Sequence, residues 1–174
     1  MKQSYPEHWP QYFTATIYER KHLLADNDCK DIIIDSLRFL VTNKRIELNA
    51  FVIMANHIHV IWQPLFDFAP SSIQASFMKY TAQQLKRSLE KSNQEFLKSF
   101  LVNKEDRAFQ MWKRRPLSIE LSTDAVFKQK LDYIHYNPVK AGLCMKPEDY
   151  YYSSAGFYYT GVDDFGILTH YSGN

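Results

Sequence analysis

Two histidines stand two positions apart in the apolar run "FVIMANHIHVIWQP", residues 51–64 of this 174-residue chain. Side chains alternate across a β-strand, so His57 and His59 project from one face and Ile58 from the other. If Ile58 faces packed helices, both imidazoles stand on the open face and can reach one ion. A second chemical spacing lies in "LDYIHYNP", residues 131–138, where Tyr133 and Asn137 are i, i+4 neighbours on one helical face. Their hydroxyl and amide oxygen could both approach an ion held by the two imidazoles. Such a ligand set leaves positions open on an octahedral Mg2+ or Mn2+ for phosphate oxygens and water. The ion would polarise a scissile phosphate for attack by the Tyr133 phenolate. Taken alone, the same residues fit a pair of sheet-surface histidines and one of 12 tyrosines packed between helix and sheet.

Which reading holds depends on the elements that carry these groups. Residues 10–20 alternate apolar side chains with Thr and predict a strand. Ile33, Leu37, Leu40 and Val41 have helical spacing within 26–45, with Asp26 or Asp28 available as a cap. Residues 46–55 and 56–64 predict two further strands, tightly connected near Asn56, which either holds the turn or orients His57. A long basic helix is expected over 71–92, begun by Ser caps. Residues 93–110 read as helix or loop, and 109–122 as a strand-like stretch interrupted by Pro116. A helix capped by Thr123 or Asp124 should stop near Asn137, because Pro138 disfavours helical geometry in the residue before it. The tail is aromatic and turn-rich. The order β-α-β-β-α-β-α predicts one α+β domain over residues 1–174. Its expected form is a ferredoxin-like antiparallel sheet backed by helices, with an added C-terminal tyrosine-bearing helix and tail.

Composition narrows the partners. Apolar residues make up 45% and charged residues 23%, an ordinary globular balance. The aromatic share of 16% suits a packed core and also the stacking of exposed bases. Cys29 and Cys144 are isolated, with neither metal spacing nor a disulfide framework. No apolar run approaches the ~18 residues of a membrane span, so the expectation is a soluble cytoplasmic protein without a membrane partner. Net charge is only +2, yet residues 79–115 hold ten Lys/Arg against four acids, while 147–174 hold acids and no Lys or Arg. That asymmetry points to a polyanion-binding face in the basic middle. Lys113, Arg114 and Arg115 cluster beside Trp112, and Lys86 and Arg87 sit on the basic helix; all five are candidate DNA-backbone contacts. Lys140 follows the tyrosine helix and could meet a phosphate. Trp112 and His135 read as core residues.

Three stretches together resemble a known family. "VIMANHIHVIW" resembles the His-hydrophobic-His strand of the HUH superfamily of single-strand DNA endonucleases. "LDYIHYNPVKAGL" resembles the tyrosine-helix motif of REP-associated tyrosine transposases, the single-tyrosine branch, and "PEDYYYSSAGFYY" the segment that follows it. The resemblance implies that His57 and His59 ligate a divalent metal and that Tyr133 is a nucleophile that becomes linked to a 5′-phosphate as a 3′-hydroxyl is released. It implies that Asn137 is the third ligand, where many relatives outside this branch use Gln. The implied substrate is single-stranded DNA with a hairpin beside the cleavage site. Relatives commonly carry an aromatic residue where this chain has Pro116. The implied enzyme is a transposase acting alone or as a homodimer, with Tyr133 serving its own chain or a partner's. The alternative is a catalytically silent nucleic-acid-binding module of the same fold.

Overall fold

The computed structural model describes residues 8–172. Strand β1 (Gln11–Thr16) leads to helix α1 (Asn27–Thr42), then to β2 (Ile46–Ile53), β3 (His57–Pro64) and the long helix α2 (Pro70–Ser92). A short helix α3 (Gln94–Lys98) and the strands β4 (Leu101–Lys104) and β5 (Arg107–Phe109) follow. Strand β6 (Leu117–Glu120), helix α4 (Asp124–Lys140) and helix α5 (Ala155–Thr160) complete the order. The main sheet runs β2-β3-β1-β6 with every pairing antiparallel. With β4 and β5 set aside as a separate two-stranded hairpin, this is the ferredoxin-like arrangement expected from the sequence. The ambiguous stretch 93–110 thus becomes α3 and that hairpin.

Strand alternation divides the core. Phe13, Ala15, Ile58, Val60 and Trp62 point to the face covered by α1 and α2, joined there by Ile33, Leu37, Phe77 and Leu85. Tyr12 and Ile61 point the other way and pack with Phe127 and Ile134 of α4. A bulge at Asn49 flips the parity of β2. Leu48 before it and Phe51 after it therefore share the α1/α2 face, while Ala50 and Val52 meet α4. Ile58 is fully buried in the α1/α2 core, which leaves His57 and His59 on the α4 side.

Two helix boundaries differ from expectation. Helix α2 begins at Pro70 with Ala69, which has no capping side chain, as its N-cap, so Ser71 and Ser72 lie inside the first turn and do not cap it. Pro70 is suited to N1 because its missing N–H has no intrahelical partner there and its φ is already helical. Helix α4 does not stop at Asn137 but runs through Pro138 to Lys140. The proline ring is buried, and the turn beyond it closes on its own hydrogen bonds. Leu143 N–H donates to the Pro138 carbonyl at 2.9 Å and Gly142 N–H to that of Val139 at 3.0 Å. Gly142 has φ +73°, the left-handed conformation that this helix ending requires.

The tail covers the outer edge of β2. Ile53 N–H donates to the Tyr152 carbonyl, Ser154 N–H to that of Phe51, and Thr169 N–H to that of Leu48. These backbone bonds pair an edge strand that would otherwise expose unpaired groups.

Candidate active site

Register decides what surrounds the histidines. Thr14 lies directly opposite His59 and Thr16 opposite His57 in the β1–β3 pairing. Thr14 Oγ1 reaches His59 Nδ1 at 2.8 Å, and the hydroxyl of Tyr12, two residues away on the same face, reaches it at 2.9 Å. With Nδ1 occupied, Nε2 is the His59 nitrogen left to face Asn137. His57 is oriented in the same sense: its Nδ1–H donates to Asn56 Oδ1 at 2.7 Å, while the Asn56 amide donates to the Arg20 carbonyl at 3.3 Å. Asn56 therefore orients His57 and also ties the turn, because Ile17 N–H donates to its carbonyl. The two imidazole centroids are 4.9 Å apart.

Both imidazoles are held neutral. Burial pushes His59, only 5% exposed, down to about 3; repulsion from His57 whenever that ring is protonated, and from the Lys130 charge, adds to the effect. Burial lowers His57 as well, opposed by a hydrogen bond to Asn137 and reinforced by Arg20. Neutral imidazoles whose second nitrogens are fixed by hydrogen bonds are the form that binds metal.

Helix α4 brings the remaining groups. Phe127 and Ile134 anchor it to the sheet, and His135 bonds Ser154 Oγ through Nε2 at 2.8 Å. Ser154 in turn accepts from Phe51 N–H at 3.0 Å, so His135 ties α4 to β2 and is a buried core residue. On the face turned to the sheet, the Asn137 amide lies 3.4 Å from His59 Nε2. The Tyr133 ring stands edge-on to His59 at 5.3 Å and is 42% exposed. Lys140 Nζ lies 5.3 Å from the Tyr133 ring centroid. The motif "YIHYNPVKAG", residues 133–142, thereby has a division of labour. Tyr133, Asn137 and Lys140 face the histidines, Pro138 packs inward, and Gly142 ends the helix.

Two imidazoles and an amide could together meet a divalent ion. Among the described residues no three His, Cys, Asp or Glu are grouped to share a metal, so an ion here would rest on two neutral imidazoles and an amide. As placed, Asn137 turns its Nδ2 toward His59, and rotation of the amide presents Oδ1 to the same point. Such a set, with few protein ligands, would leave a bound ion open positions for phosphate and water.

The cationic candidates separate. Lys140 is at the site. Lys113, Arg114 and Arg115 are exposed beyond the His57 end of the sheet, where Lys113 N–H donates to the Thr16 carbonyl at 2.7 Å. Lys113 and Arg114 border a cleft of about 520 Å3 with Tyr18, Glu19, Arg20 and Gln110. Arg115 has φ +59° before Pro116. Lys86 and Arg87 lie on α2, across the sheet from the histidines, and Lys86 is paired with Glu90 at 2.6 Å. Trp112 is core, its indole donating to Thr81 Oγ1 at 3.0 Å. The sequence reading passed over Tyr12, Thr14 and Lys130. Lys130 was legible, since it precedes Tyr133 by three residues on the same helical face; Tyr12 and Thr14 needed the strand register.

Two measurements test this description. Thr14→Val combined with Tyr12→Phe should weaken Mn2+ binding by about 10-fold, the usual scale for an outer-shell partner, with titration calorimetry as the check. Burial pushes His135 down to about 4. Its folded pKa lies below the unfolded value, so its stability contribution is complete above roughly pH 6.5 and is lost as pH falls toward 4. At pH 5 the loss is on the order of 2 kcal/mol, or roughly 4–8 °C in Tm. His135→Gln should flatten the melting temperature between pH 7.5 and 5 by roughly that amount.

A ferredoxin-like sheet bearing a His-x-His pair under a tyrosine helix is the arrangement the sequence resemblance leads one to expect of a tyrosine transposase. Residues 9–115 match the family described as Transposase IS200 like, and the chain belongs to that family. The matched stretch contains His57 and His59 and ends before Tyr133. A protein of Haemophilus influenzae named "Putative REP-associated tyrosine transposase" is 32% identical over 108 residues, which are 62% of this chain and 58% of the relative. The chain thus spans less than two thirds of that relative's length. A solved structure of a REP-associated tyrosine transposase bound to a REP hairpin aligns with 100% of this chain and 95% of its own. Its TM-score is 0.64 at 19% identity, a likeness of fold. Among the described residues no helix is long and apolar enough to cross a membrane.

Proposed function

We propose that this protein is a transposase that cleaves and rejoins single-stranded DNA beside a hairpin through a covalent 5′-phosphotyrosine at Tyr133. Family membership supports the class, and the hairpin held by the structural neighbour motivates the substrate. The observation that carries the chemistry is the convergence on the His59 imidazole of the Asn137 amide, 3.4 Å from Nε2, and the half-exposed Tyr133 ring, edge-on at 5.3 Å.

In this reading His57, His59 and Asn137 hold Mg2+ or Mn2+, which when bound supplies charge to polarise the scissile phosphate. Tyr133 Oη attacks phosphorus, the bond to the 3′-oxygen breaks, and the 3′-hydroxyl leaves with a proton. The 5′-phosphate stays on the tyrosine until another 3′-hydroxyl attacks it and restores the phenol. Bond energy is conserved in the adduct, so rejoining needs no external energy source. Helix α4 sets the line of attack through its anchors Phe127, Ile134 and His135. The exposed Lys113–Arg115 run contacts the DNA backbone without reading sequence.

The test uses labelled single-stranded oligonucleotides that carry hairpins, with Mn2+ or with EDTA. An adduct that survives denaturing electrophoresis, only with the metal, supports the proposal. Salt-sensitive hairpin binding with no adduct under any divalent ion would leave a binding module instead.

A further inference from the structure

Helix α4 carries a second cation toward the site. Lys130, Tyr133, Asn137 and Lys140 follow one another at i, i+3, i+7 and i+10, which keeps all four within about 80° on the helix surface. Lys130 is half-buried, with its Nζ 4.9 Å from the centroid of the Tyr12 ring. Tyr12 also touches the other site groups: its ring stacks on His59 at 5.6 Å and meets Tyr133 edge-on at 6.4 Å. The Lys130 charge is felt at His59. Neither Lys130 nor Lys140 is paired with a carboxylate among the described residues. The two ammonium groups therefore flank Tyr133 along the helix, uncompensated, beside two neutral imidazoles. Such a pair of cations calls for an anion between them.

We propose that Lys130 is a catalytic residue that binds the phosphate attacked by Tyr133, with Lys140 as the opposing arm. This rests on the reading of Tyr133 as nucleophile. The role is electrostatic: Lys130 holds a non-bridging oxygen and stabilises the charge that gathers on the phosphate in the transition state, with no proton transferred. After cleavage the same cradle holds the 5′-phosphate. A free strand with a 5′-phosphate should therefore bind better than the same strand with a 5′-hydroxyl, even without metal.

The experiment measures anisotropy of short single-stranded oligonucleotides with either 5′ end, in EDTA. The wild-type protein should favour the 5′-phosphate by about 5- to 10-fold, the scale of a charge-assisted contact. Lys130→Met, which keeps the aliphatic stem, should abolish that preference; Lys130→Arg should retain it. With Mn2+ and a hairpin substrate, Lys130→Met should slow adduct formation by about 10²-fold. An undiminished 5′-phosphate preference in Lys130→Met overturns the assignment, as does its absence from the wild type. An adduct without the preference removes Lys130 and leaves Tyr133 standing. A Lys130-dependent preference without any adduct removes Tyr133 and leaves the phosphate cradle.

Discussion

Tyr133→Phe is expected to abolish the covalent protein–DNA adduct, a loss on the order of 10³-fold or more in cleavage rate, with hairpin affinity changed by less than about 3-fold. The change removes one oxygen from a ring that is already half exposed. That ring makes edge contacts with His59 and Tyr12 through its carbons, and these persist in phenylalanine. Melting temperature should move little, so lost activity cannot be charged to lost fold. The other tyrosine at the site is not a substitute. Tyr12 is 3% exposed, its hydroxyl is committed to His59, and burial raises its pKa. An adduct persisting in Tyr133→Phe would take the nucleophile's role from this residue. Mass spectrometry of the wild-type adduct should find the 5′-phosphate on the peptide containing Tyr133.

His59→Ala should lower Mn2+ affinity by at least about 10²-fold, since even outer-shell partners of a ligand are worth about 10- to 10²-fold. Cleavage should fall in parallel. Of the two histidines His59 has the greater effect, because its Nε2 faces Asn137 while two hydroxyls fix its other nitrogen. The Nδ1 of His57 is held by one bond, to Asn56. The substitution also leaves Tyr12 and Thr14 without their shared partner, so a modest drop in melting temperature is expected alongside the loss of metal. Calorimetric titration of Mn2+ separates the two effects, since it reads binding in protein that is still folded. Unchanged affinity in His59→Ala would remove the metal centre from this position.

Much of this was open to inspection in the chain itself. The β-α-β-β-α-β order follows from local periodicity, and alternation about Ile58 put His57 and His59 on one face before any partner was known. Helical spacing did the same for Tyr133 and Asn137; it also held for Lys130, which was passed over, while Lys140 fell beyond the expected helix end. The proline rule misled at Pro138, where a buried ring and a glycine-ended turn outweighed a local preference. That correction matters for the site, because the additional helical turn carries Lys140 back over Tyr133.

Local pattern assigns residues to faces; it does not say which faces meet. Only the strand register set Thr14 and Tyr12 beside His59, and only the packing of α4 on the sheet brought residues 133 and 137 within reach of 57 and 59. The tail shows the same division. Its sequence reads as aromatic and turn-rich, yet its hydrogen bonds run to the distant edge of β2, and Ser154 there steadies α4 through His135. Periodicity is local, encoded within a few residues of each position. Register and docking depend on contacts between residues tens of positions apart, which become favourable only when the whole apolar surface is buried together.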